Sequence, residues 1–203
     1  RDRREGEPEI LPLYTRDDVD AAVRLVKPLP YDSRSTILPG VEVTLRDAGH
    51  ILGSSIVELH GDDRTLVFSG DLGPNGTPIL RDPEPVAHAD MVVMESTYGD
   101  RDHKDRAETI SELGGIFEAA WRDKGNVCIP AFAVGRSQEL LYWFARHWDD
   151  WQLSRWQVFL DSPMAAKVVG VYARHEELFD TDAQQVWRQK PNPFQLPNLR
   201  ITQ

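Results

Sequence analysis

The polar and apolar positions of this chain change rhythm part-way along its length. Val19, Ala22, Val23 and Val26 recur at helical spacing behind Thr15, with Asp17 and Asp18 in the first turn. Pro28 and Pro30 end that predicted helix. Val41–Leu45 alternates as a strand, and Ile56–Leu59 and Thr65–Phe68 flank the turn His60–Arg64, which predicts an antiparallel hairpin. Pro74 to Pro85 reads as a long loop, and Met91–Met94 as a buried strand.

After Gly99 helical spacing dominates. Ile110, Leu113, Ile116, Phe117, Ala120 and Trp121 predict a helix within His103–Lys124, and Leu140, Leu141, Phe144 and Trp148 another within Ser137–Trp148. Asn126–Phe132 and Trp156–Leu160 read as strands. Ser162 as N-cap and Pro163 at the first helical position open a helix reaching Arg174, and the final residues begin another strand. Strands alternating with helices predict an α/β region, a parallel sheet covered by helices, with a boundary near Gly99 separating it from the hairpin region.

Composition narrows the function classes. With 203 residues the chain holds one sizeable core, or one domain and part of another. The net charge, 23 − 33 = −10, is unlike that of a general nucleic-acid binder, but it leaves room for a nuclease whose positive charge comes from bound metal. No apolar run reaches the roughly 20 residues of a membrane span, and the first fifteen residues hold no apolar signal segment. A start at Arg1 instead of Met points to missing upstream sequence. Cys128 is alone, so no intramolecular disulfide forms; in NVCIPAF it reads as a buried small side chain, and a cytoplasmic location is expected.

Three strand ends carry the candidate chemistry. His50 lies between glycines in AGHILGSS, where a rigid strand hands over to a loop; it suits a metal ligand, and equally a hydrogen-bonded turn. Asp71 ends the run TLVFSGD, where a carboxylate can bind or bridge metal ions or cap a turn. Glu95 ends MVVME. His, Asp and Glu at successive strand ends make a more specific pattern than any one of them, because hydrolytic sites on sheets are assembled from separate strand termini. Arg136, after Gly135 at a helix start, is placed either to bind a phosphate or to bond carbonyls between domains. Ser162 reads as a helix cap or a substrate contact.

His60 is assigned to the hairpin turn, His88 to a loop and His103 to a helix start, with His147 and His175 in or near helices; all five are read as structural. Trp143, Trp148, Trp151 and Trp156 would suit base stacking, but their spacing favours core.

GHILGSS, FSGDLG and ESTYGDR, followed by PAFAVGRSQEL and DSPMA, resemble in order and spacing the β-CASP branch of the metallo-β-lactamase superfamily, over about four-fifths of the chain. The resemblance implies a partial αββα sandwich (1–99) joined to a β-CASP domain (100–203). It implies His50 as a zinc ligand, Asp71 as a bridge between two zinc ions, and Glu95 as an acidic support for a catalytic histidine. It implies a zinc-dependent ribonuclease acting on single-stranded RNA, with a homodimer as a further candidate assembly and no membrane partner. The family's His-x-His-x-Asp-His run and its later β-CASP histidines do not occur, so a truncated piece is expected, inactive by itself. Two alternatives stand beside this: a non-catalytic RNA-binding or assembly subunit, and another hydrolase of the fold acting on a thioester or lactam.

Overall fold

The computed structural model describes residues 12–202, so that residues 1–11 of the fifteen read for a signal segment lie outside them. The chain divides after Pro30 into two compact units. In the first, helix α1 (Arg16–Val23) opens on a reciprocal cap. Thr15 Oγ1 accepts from Asp18 N–H, and the Asp18 carboxylate accepts from Thr15 N–H at 2.7 Å. The predicted helix ends early, at Val23, where a tighter turn carries the chain on through Leu25 and Val26.

The second unit, from Tyr31, contains two sheets. The first holds β1 (Ser35–Leu38), β2 (Val41–Asp47), β3 (Ser55–Gly61), β4 (Arg64–Phe68) and β5 (Met91–Val93), in that order across the sheet. The first three pairings are antiparallel and the last is parallel, so β2, β4 and β5 point the same way. Their C-terminal ends therefore share one edge of the sheet, and that edge is where His50, Asp71 and Glu95 follow. The hairpin expected around residues 60–64 is present, its turn made by Asp62 (φ 50°) and Asp63 (φ 57°), a left-handed pair whose twist matches the flanking strands.

Two strand expectations change. His60 lies within β3, not in the turn: its ring sits between the hydroxyls of Thr44 (3.3 Å) and Thr65 (3.2 Å), with Glu58 Oε2 3.5 Å away. The sheet face it shares also holds the ion pair Arg46 Nε–Glu58 Oε1 at 2.9 Å, whose carboxylate is buried and whose guanidinium is half-buried. β5, expected to be buried, is exposed at every residue, because it is an edge strand with β4 as its single neighbour.

The remainder is helical: α2 (Arg106–Arg122), α3 (Arg136–Arg146), α4 (Pro163–Tyr172) and α5 (Thr181–Arg188). Asp105, Ser162 and Asp180 each cap a following helix through a side-chain oxygen, as their residue types favour. The second sheet is a parallel pair, β6 (Val158–Leu160) and β7 (Leu199–Ile201). The strand expected over 126–132 does not form. Its residues have strand-forming side chains, but β6 pairs with β7 alone, and a strand without a partner leaves its ladder unmade. Cys128, in this stretch, is exposed and not buried.

The core lies among the helices. Phe117 sits with the rings of Phe144, Trp151 and Trp156 within 5.5–5.7 Å, edge-on or stacked. Trp151 presses so closely on α2 that a Cβ at Gly114 would fall 2.6 Å from its Nε1. The tryptophans therefore pack the core, as their spacing suggested. The mixed α/β class read from the sequence holds, and no helix among the described residues is long and apolar enough to cross a membrane.

Candidate active site

The loops that follow β2, β4 and β5 are stitched together by main-chain and side-chain hydrogen bonds alike. Gly73 N–H donates to Ala48 O at 2.8 Å, joining the loop of Asp71 to the loop of His50. The approach is close enough to require glycine, since a Cβ on residue 73 would lie 1.8 Å from Gly49 O and 2.8 Å from His50 N. Gly49 itself has φ +63°, with the Arg81 carbonyl and Pro83 crowding the space a side chain would need. Ser69 N–H donates to Val93 O at 3.0 Å, and Leu72 N–H donates to Glu95 Oε1 at 2.6 Å, bringing in the third loop. His50, Asp71 and Glu95, 45 positions apart at the extremes (95 − 50), are thus brought to one edge.

Their settings differ. His50 and Asp71 are exposed, and the side chains of both are without a hydrogen bond among the described residues. Glu95 is held on both oxygens: Leu72 N–H binds Oε1, and Thr97 Oγ1 donates to Oε2 at 2.6 Å. Its own N–H donates to the buried Ser69 hydroxyl at 3.2 Å. The Thr97 hydroxyl, then the Leu72 amide, hold the Glu95 carboxyl below the usual carboxylate range, and His50 lies near enough to add to that effect.

A family model described as the Beta-Casp domain matches residues 137–203. Ribonuclease TTHA0252 of Thermus thermophilus is 38% identical over 192 residues, covering 95% of this chain and 44% of that protein. Endoribonuclease YSH1 of Yarrowia lipolytica is 29% identical over 93% of the chain and 23% of its own length. Transcription termination factor FttA of a Lokiarchaeum is 29% identical over 89% of the chain and 29% of its own length. The chain thus carries a match to the Beta-Casp domain in its last third and is similar along most of its length to proteins named as ribonucleases. It spans less than half the length of these curated relatives.

The two further candidates are placed differently. Arg136 opens α3, next to Gly135, where a Cβ would stand 3.0 Å from Ile51 Cγ2, so it borders the His50 loop. Its guanidinium is paired with Glu139, and the start of α3 is sealed by the fully buried Gln138, whose Oε1 accepts from Gly135 N–H at 2.8 Å. Ser162 accepts from Ala165 N–H at 3.1 Å as the cap of α4. It stands roughly 15 Å along α4 from Tyr172, the residue of that helix that touches the His50 loop.

The donor set bears on a metal. An imidazole and a carboxylate, both exposed and uncommitted, suit zinc or a similar ion. Among the described residues no group of three or more His, Cys, Asp or Glu gathers as a site, whereas catalytic zinc usually takes three protein ligands. If both bound one ion, His50 and Asp71 would supply two of its donors. Sequence reading missed Ser69, Thr97 and Tyr172, which brace the three loops. The first two were signalled by hydroxyls beside the candidate carboxylates; Tyr172, 120 positions from Leu52, carried no such signal.

Proposed function

We propose that the chain forms part of a metal-dependent ribonuclease, most simply a zinc enzyme hydrolysing phosphodiester bonds of single-stranded RNA. The observation that carries this reading is the meeting of the His50, Asp71 and Glu95 loops at one sheet edge, joined by the Gly73–Ala48 and Leu72–Glu95 hydrogen bonds. His50 and Asp71 serve as ligands, with two zinc ions completed by donors outside the described residues. The metal supplies Lewis acidity toward the phosphoryl oxygens. Glu95, kept ionised and fixed on both oxygens, is placed to orient a proton-donating group without shifting itself. Arg136 offers a cation beside the His50 loop for a substrate phosphate. Ser162 is the weaker contact, since its hydroxyl oxygen caps α4. We assign residues 1–99 to the metallo-β-lactamase portion and 100–203 to the β-CASP portion, in a cytoplasmic protein able to pair as a homodimer.

The test uses the full-length gene product, assayed for zinc content and for cleavage of 5′-labelled RNA. His50→Ala and Asp71→Ala should each abolish cleavage while leaving the circular dichroism unchanged. RNA bound without zinc or cleavage would replace this reading with that of a non-catalytic binding subunit.

A further inference from the structure

The loop carrying His50 satisfies most of its amides internally. Gly49 N–H donates to Asp47 Oδ1, His50 and Ile51 N–H both donate to Ser54 Oγ, and Ser54 N–H donates to Ile51 O. Gly53 N–H has no acceptor among the described residues. Leu52 N–H is different. It leaves the loop and donates to the Tyr172 hydroxyl at 3.2 Å, at the C-terminal end of α4.

Tyr172 is 2% exposed, wedged against Phe179 and Phe194 in the helical core. Burial pushes its phenol above the usual range, so it stays neutral and its oxygen keeps a lone pair for the amide. The Leu52 side chain packs on the same core, and Ile51 abuts the start of α3. The loop is thereby pinned to two helices at the residues immediately following His50.

We propose that Tyr172 is a positioning residue for His50: through Leu52 it fixes the loop's height against the helical core, so that a shift of α4 is transmitted to the imidazole. The inference rests on the reading of His50 as a metal ligand, but its main readout does not depend on activity. Tyr172→Phe removes one oxygen and keeps the ring in place. It should speed hydrogen exchange of the Leu52 amide at least tenfold and shift the His50 ring resonances. Tyr142→Phe, at another buried tyrosine of the same core, should move neither.

His50 resonances unmoved by Tyr172→Phe overturn the proposal. The unsubstituted protein offers a second measurement should that variant fail to fold: the Leu52 amide must exchange at least tenfold more slowly than that of Gly53, and equal rates overturn the proposal. In RNA cleavage by the full-length gene product, Tyr172→Phe should lower kcat about tenfold at constant KM; a rise in KM alone also overturns it. A parent protein without cleavage sinks the nuclease reading and leaves resonance and exchange to decide the role of Tyr172.

Discussion

The strand region and the helical region of this chain are held together by different means. Beneath the site loops the buried apolar cluster is three side chains, Ala48, Ile56 and Val67, whereas the helical core buries fourteen. The strand region offsets its thin core with polar contacts, namely the Arg46–Glu58 pair, the His60 bridge between two threonines, and the backbone stitches between loops. The lesson is a division of labour. The candidate chemistry sits where apolar burial is least, and it borrows rigidity from the helices through Leu52 and Ile51.

That contrast can be broken by measurement. Phe117→Ala, at the centre of the aromatic cluster, should cost about 3–5 kcal/mol in urea unfolding. Val67→Ala in the small cluster should cost about 2 kcal/mol, and equal costs at the two positions would erase the distinction. Glu58→Gln should cost about 1–2 kcal/mol, because it weakens a charge-assisted bond to a partner still partly hydrated. No loss there would show that the polar face does not brace the sheet.

Thr97→Val should have the smallest effect, and a pH-dependent one. The folded Glu95 carboxyl is depressed, so its contribution is complete above the unfolded carboxylate pKa and is lost as the pH falls through the folded value. Removing the Thr97 hydroxyl raises the folded value toward the unfolded one. The stability gap between parent and variant should therefore be open at neutral pH and close in acid, with an NMR titration of Glu95 moving upward. A gap independent of pH would mean that Thr97 acts by packing alone.

Much of this organisation was legible in the chain, wherever a local pattern decides a local structure. The hairpin, the Ser162–Pro163 helix start and the placement of His50, Asp71 and Glu95 after three strand ends follow from residue type and spacing. The failures share a physical cause. Met91–Val93 and Asn126–Phe132 have the apolar, β-branched make-up of interior strands, but burial and pairing depend on neighbours that spacing does not reveal. His60 was misplaced because the turn is only Asp62 and Asp63, which lets β3 run on to Gly61. Of the site, the acidic and imidazole groups could be found; the hydroxyls that fix them could be suspected at Ser69 and Thr97 and not at Tyr172.

The Gly73–Ala48 contact has a consequence for how this surface can change. Because the His50 and Asp71 loops meet through a main-chain bond, and neither of those two side chains takes part in holding the loops, the identities of these two residues are decoupled from loop placement. Ala48 is fully buried and fixed by packing, but exposed positions such as His50 and Asp71 can be rewritten one at a time with the scaffold intact. Gly49 and Gly73 cannot. Part of the heritable memory of the site's shape thus resides in residues that have no side chain, and random mutagenesis should find Gly49 and Gly73 intolerant while His50 and Asp71 beside them vary without loss of folding.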